Sequence, residues 1–145
     1  MPTRKASARW EGGLKGGKGT FKGESGAIGG QYSYSSRFEE GVGSNPEELL
    51  AAAEAACFSM ALSGDLEKNG TPPTSVDAEA ACTVGPAPGG GSAISSIHLD
   101  VTAVVPGIDD AKFHEIAKGT LVGCPVSKTF KGNIEITLKA KLASG

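Results

Sequence analysis

The stretch Ser44-Asn45-Pro46-Glu47-Glu48-Leu49-Leu50-Ala51-Ala52-Ala53-Glu54-Ala55-Ala56-Cys57-Phe58-Ser59-Met60-Ala61-Leu62 governs how the rest of the chain is read. Asn45 suits a helix N-cap, Pro46 is tolerated at the first helical position, and Glu47 and Glu48 fall in a first turn whose dipole favours negative charge. The pattern predicts a helix running to about Lys68, with Asn69-Gly70 as its stop. Its middle is apolar on nearly every face. Such a helix belongs inside a core or between subunits, not on a surface with one wet side.

On the N-terminal side, short β-like pieces (Lys5 to Trp10, Thr20 to Lys22, Gln31 to Tyr34) are separated by glycines, which predicts a meander of hairpins with no helical signal from Thr3 to Tyr34. On the C-terminal side, Ser75 to Val84 and Ile94 to Val105 alternate and are rich in β-branched residues. They read as two long antiparallel strands joined by Gly85-Pro86-Ala87-Pro88-Gly89-Gly90-Gly91. Asp109 or Asp110 then caps a second helix from Ala111 to about Leu121. Gly123-Cys124-Pro125 breaks it before a short helical turn through Phe130, and a last strand follows from Asn133 to Leu142. Strands, helix, strands, helices and strand in this order predict an α+β fold with a mostly antiparallel β-sheet wrapped around long buried central helices.

A chain of 145 residues is the size of one domain, so residues 1–145 are read as a single unit. The formal charge of −2, with lysines scattered among carboxylates, leaves no basic footprint, and nucleic acid is not expected as a partner. The apolar run from Leu49 to Leu62 is interrupted by Glu54 and falls short of the ~20 residues of a membrane span. The basic start, Met1 to Lys5, leads into no apolar segment. A cytoplasmic protein without a membrane partner is therefore expected, and there cysteines are buried, catalytic or metal-bound instead of structural disulfides. His98 and His114 lack the paired short spacings of a zinc site, so no metal is expected. Gly16-Gly17-Lys18-Gly19-Thr20 lacks the ending and the helix of a phosphate loop, and no other cofactor signal is present.

Two of the three cysteines occupy unusual positions. Cys57 lies mid-helix among alanines, where it is either a small buried hydrophobe or a nucleophile needing help, because an apolar site raises a thiol's pKa. In Gly123-Cys124-Pro125 the sulfur sits at a helix N-terminus whose dipole favours a thiolate; alternatively, Cys124 merely caps a turn. Cys82, alternating on a strand, reads as core filling.

The Ser44 to Leu62 stretch, together with Gly123-Cys124-Pro125-Val126-Ser127-Lys128, resembles the two signature stretches of the OsmC/Ohr hydroperoxide reductases. Trp10-Glu11-Gly12, Gly17-Lys18-Gly19-Thr20, Glu24-Ser25-Gly26, Ser36-Arg37-Phe38-Glu39 and Val105-Pro106-Gly107-Ile108-Asp109 follow the family's order, and Arg37 ahead of the helix resembles the osmotically inducible branch. The resemblance implies an intertwined homodimer and a thiol-dependent peroxidase that reduces organic hydroperoxides in oxidative or osmotic stress. It assigns Cys57 as nucleophile and Cys124 as its resolving partner, with Arg37 stabilising the thiolate and Glu47 holding the guanidinium. An external thiol, either a small dithiol or a lipoyl- or thioredoxin-type protein, would reduce the resulting disulfide. Leu49, Ala53, Phe58 and Met60 would give an apolar lining for the substrate. Cys82 has no counterpart in the family pattern.

Glu47 and Cys57 are ten positions apart, ~15 Å along a straight helix and ~80° around its axis, so they cannot meet within it. No glycine or proline lies between them to break the helix. The simpler arrangement takes Cys57 from one chain and Arg37 with Glu47 from the other. Two other readings fit the same residues: a dimer that binds an apolar ligand with inert cysteines, and a redox sensor that uses the pair without peroxide turnover.

Overall fold

The computed structural model describes residues 1–143. The chain forms two compact units, residues 1–49 and residues 50 onward. In the first, β1 (Ala6–Glu11), β2 (Lys18–Gly23) and β3 (Gly29–Tyr32) make an antiparallel meander in the order β1-β2-β3. Trp10 and Tyr32 close over Gly19 from the two flanking strands, their ring centroids 5.4 Å apart. A Cβ on Gly19 would lie 2.5 Å from the Tyr32 ring and 2.8 Å from Trp10, so the aromatic pair requires a residue without a side chain.

A short helix follows where the sequence reading has none: α1, Tyr34–Phe38, which carries Arg37. The residues between Tyr34 and Ser44 are unassigned in the sequence reading because one turn of helix is too short to show periodicity; its signal is a capping box. The Ser36 N–H donates to Ser33 Oγ at 3.1 Å and the Ser33 N–H donates back to Ser36 Oγ at 2.9 Å. Ser36 Oγ also donates to the Ser44 carbonyl at 2.6 Å, and Asn45 Nδ2 donates to the Ser36 carbonyl at 3.1 Å. These bonds tie α1 to the segment that starts the next helix.

That helix, α2, spans Pro46–Lys68. Asn45 caps it as the sequence predicts, with Oδ1 accepting from the Glu48 N–H at 2.8 Å, and Gly70 ends it at a φ of 84° that favours glycine. The helix reaches Lys68 as the sequence predicts, and by length and composition alone it is long and apolar enough to cross a membrane, a test that the core helix of a globular protein also passes. Its packing is that of a core helix on one side. Phe58, Leu62 and Leu66, at i, i+4 and i+8, are wholly buried.

The second unit supplies their partners. β4 (Ser75–Pro86) and β5 (Ser92–Val104) pair antiparallel, and β6 (Glu135–Ala143) lies parallel to β5, giving the order β4-β5-β6. Among the described strand pairs this parallel one is the exception in the mostly antiparallel arrangement that the sequence predicts. It follows from the connection: α3 (Asp110–Gly123) and α4 (Pro125–Phe130) carry the chain back across the sheet, as a parallel crossover requires. Asp109 is the N-cap of α3, its side chain accepting from the Lys112 N–H. Leu99, Val101 and Ala103, on one face of β5, join Phe58, Leu62 and Leu66 of α2, Phe113 and Ala117 of α3, and Cys124 in one buried cluster.

The opposite side of α2 is bare within one chain. Ala52, Ala53, Ala56 and Met60 share a face and are exposed, Met60 at 78%. The expectation of burial all round is thus met on one side only.

Candidate active site

The core cluster holds the sulfur of Cys124 at 0% exposure, and the Cys57 and Cys124 Sγ atoms are 3.0 Å apart. Local structure explains the meeting. Pro125 cannot continue α3, so the chain turns at Cys124 and starts α4, which presents its first turn to α2. Cys124 is the N-cap of α4 but makes no side-chain capping bond. The free amide of that first turn serves Cys57 instead: the Val126 N–H bonds its sulfur and favours the thiolate. The sequence reading gave the helix-terminus effect to Cys124; the structure directs it to Cys57. Burial is the larger influence and pushes the Cys57 thiol up, and the proton shared with Cys124 adds to that rise.

A second pair lies one turn further along both helices. Glu54, three residues before Cys57, is 0% exposed and accepts a hydrogen bond from Ser127 Oγ, three residues after Cys124 and itself buried. The other Glu54 oxygen, Oε2, is buried and has no hydrogen-bond partner among the described residues. Burial raises the Glu54 carboxyl above the ordinary carboxylate range, against a smaller lowering by Ser127, and a charge on Glu54 opposes one on Cys57. Sequence reasoning noted Glu54 only as an interruption of an apolar run. Its signal was a carboxylate among alanines, three positions ahead of a cysteine.

Arg37 and Glu47 form a second constellation, inside the first unit. Arg37 Nη2 donates to Glu47 Oε1 at 2.7 Å, and Nε lies 3.2 Å from both carboxylate oxygens. Glu47 is 5% exposed, and Arg37 reaches it from α1 with its guanidinium plane in a fork geometry. The structure thus brings together Cys57 with Cys124, and Arg37 with Glu47. The expected apolar lining needs correction at Phe58, which fills the core and cannot line an open pocket.

A family model described as OsmC-like protein matches residues 39–139. The chain belongs to the OsmC-like family. It is 46% identical over 142 residues to the peroxiredoxin OsmC of Escherichia coli, covering 97% of each chain. To the organic hydroperoxide resistance protein of Xanthomonas axonopodis pv. citri it is 33% identical over 99 residues, 68% of this chain and 67% of the other. Among solved structures, the organic hydroperoxide resistance protein OhrB of Bacillus subtilis has the same α+β fold, with a TM-score of 0.77 at 26% identity over 96% of this chain and 98% of that one. The family match takes in Glu47, Glu54, Cys57, Cys124 and Ser127, while Arg37 lies two residues ahead of it.

Proposed function

We infer that this chain is a thiol-dependent peroxidase that reduces organic hydroperoxides to alcohols in stress defence, with Cys57 as nucleophile and Cys124 as resolving thiol. The observation that carries the assignment of roles is the 3.0 Å separation of the two sulfurs, one half-buried on α2 and the other enclosed in the core. The half-buried sulfur is the one a substrate can reach. The enclosed one can only react with its neighbour, and about 1 Å of approach brings the pair to bonding distance.

The reaction follows from thiol chemistry. The Cys57 thiolate attacks the hydroxyl oxygen of R–O–O–H, the O–O bond breaks, and the alkoxide takes a proton to leave as the alcohol. Cys57 is left as a sulfenic acid, which Cys124 attacks to form the disulfide and release water. A small dithiol or a lipoyl- or thioredoxin-type protein then reduces the disulfide, a regeneration suited to the reducing cytoplasm where we place the protein.

Within the second unit the Val126 N–H is opposed by burial, so the thiolate needs a cation. Arg37, held in its fork by Glu47, is that cation in our reading. A homodimer supplies it: α2 runs unbroken from Pro46 to Lys68, and the bare face of Ala52, Ala53, Ala56 and Met60 offers an apolar contact for a second copy. The test is turnover of cumene hydroperoxide with a dithiol. Cys57→Ser is expected to abolish peroxide consumption, while Cys124→Ser performs the first attack and accumulates sulfenic or overoxidised Cys57 by mass spectrometry. Wild-type consumption by Cys57→Ser, or oxidation of wild type without sustained consumption, overturns the assignment; the second outcome is that of a redox sensor.

A further inference from the structure

We propose that Glu54 is the proton donor of the resolving step, giving its proton from Oε2 to the oxygen that leaves Cys57 when Cys124 closes the disulfide. The inference deepens the peroxidase reading and rests on it.

The geometry is a two-rung ladder between α2 and α4. One rung is Cys57 with Cys124, and the other is Glu54 with Ser127. Residues three apart on a helix stack with Cβ atoms about 5 to 6 Å apart, so the carboxyl of Glu54 neighbours the Cys57 sulfur. Ser127 occupies Oε1 and fixes the carboxyl. Oε2 remains, buried and without a hydrogen-bond partner among the described residues, and leaving a polar atom unpaired in such surroundings is unfavourable. A protein retains that cost where a ligand or a reaction intermediate fills the gap, and the oxygen added to Cys57 arrives beside it.

The chemistry requires a proton there. Sulfur attack by Cys124 breaks the S–O bond of Cys57 sulfenic acid, and hydroxide is a poor leaving group until protonated. With Cys124 wholly buried, bulk water is a poor acceptor for the proton its thiol must lose, so that proton goes to a neighbouring group. Glu54 gives its proton to the departing oxygen, which leaves as water, and the carboxylate so formed takes the proton from the Cys124 thiol. The sum is one sulfenic acid and one thiol converted to one disulfide and one water, with Glu54 restored. Its burial keeps the carboxyl protonated beyond the ordinary range, and an ionised Glu54 would oppose the Cys57 thiolate, so the resting pair carries its single negative charge on sulfur. The groups that interact with Glu54 are Cys57 on its own helix and Ser127 from α4. Among the described residues no basic side chain bonds it.

The test is a single turnover of the reduced full chain with one equivalent of cumene hydroperoxide. Peroxide loss reports the first step, and quenched mass spectrometry with a dimedone trap separates sulfenic acid from disulfide. Glu54→Gln, which keeps the shape and the Ser127 bond, is expected to slow disulfide closure by about 100-fold relative to peroxide loss and to accumulate trapped sulfenic acid. Wild-type closure should weaken as pH rises through the Glu54 titration, whereas closure in Glu54→Gln should show no such fall. Glu54→Asp should recover part of the rate. A closure rate in Glu54→Gln equal to wild type, or the same pH profile in both, overturns the proposal. Should Glu54→Gln fail to fold, the wild-type profile decides alone: closure that only accelerates with pH leaves no role for an acid. Failure of wild type to consume peroxide refutes the peroxidase reading itself and is seen in the first signal.

Discussion

At the residue scale, two carboxylates of one helix are handled in opposite ways. Glu47 is nearly buried and ionic, its charge matched by the Arg37 fork; Glu54 is wholly buried and, among the described residues, hydrogen-bonded only by the Ser127 hydroxyl. Arg37→Ala leaves the Glu47 carboxylate without its partner and is expected to destabilise the fold by about 2 kcal/mol in urea unfolding. Glu47→Ala in the Arg37→Ala background should then cost less than it does alone; simple addition of the two effects would show that the pair is uncoupled. For Glu54 the effect is one of pH. Its carboxyl is raised in the folded chain and ordinary in the unfolded one. It therefore favours the fold below the ordinary carboxylate range, and that contribution is lost as pH rises through its raised value. Thermal melts of wild type and Glu54→Gln should diverge with rising pH, the variant gaining on wild type. A difference between the two that is constant with pH would show that Glu54 does not titrate in that window.

At the element scale, the smallest helix has the largest consequence for Arg37. Five residues make α1, and its stability rests on the reciprocal Ser33 and Ser36 bonds rather than on burial of an apolar face. Ser33→Ala removes one of those bonds at a cost of about 1 kcal/mol. The expected result is a modest loss of stability with a larger loss of Cys57 alkylation rate, because Arg37 is no longer presented; unchanged alkylation would show that α1 does not position it. This element also marks where the sequence was hard to read. A capping box spaced over one turn carries no periodicity, whereas Asn45, Pro46 and the long apolar run announced α2 and its bounds directly. The paired cysteines were legible through their motifs. Their environment was not: that Val126 serves Cys57, and that Glu54 meets Ser127, depends on how α4 docks on α2, which is a tertiary fact. The parallel β5 and β6 pairing was hidden likewise, because alternation along Glu135–Ala143 fixes which face is buried but not the direction of the neighbouring strand.

At the scale of the whole molecule, the question is whether one chain suffices for one site. The bare alanine and methionine face on α2 is continuous with a helix whose other side is core, and covering it removes apolar area from water. The two-fold dimer that we propose, built on α2, would give each Cys57 an Arg37 from the opposite chain. Mixing two variants tests this arrangement. On the proposed roles Cys57→Ser lacks the nucleophile and Arg37→Ala lacks the activating cation, so neither variant alone is expected to turn over well. In a heterodimer with crossed sites, one site collects both defects and the other has neither. After subunit exchange, activity should recover towards about half of wild type per heterodimer, a consequence of two-fold symmetry. If Cys57 and its activating Arg37 belong to the same chain, each site of the heterodimer keeps one defect and no activity returns. Native mass spectrometry of the mixture separates absence of exchange from absence of recovery. Met60→Glu, which places a charge on the exposed face of α2, should shift the protein towards monomer and slow Cys57 alkylation in step; a monomer that alkylates as fast as wild type would show that the thiolate finds its cation without a partner.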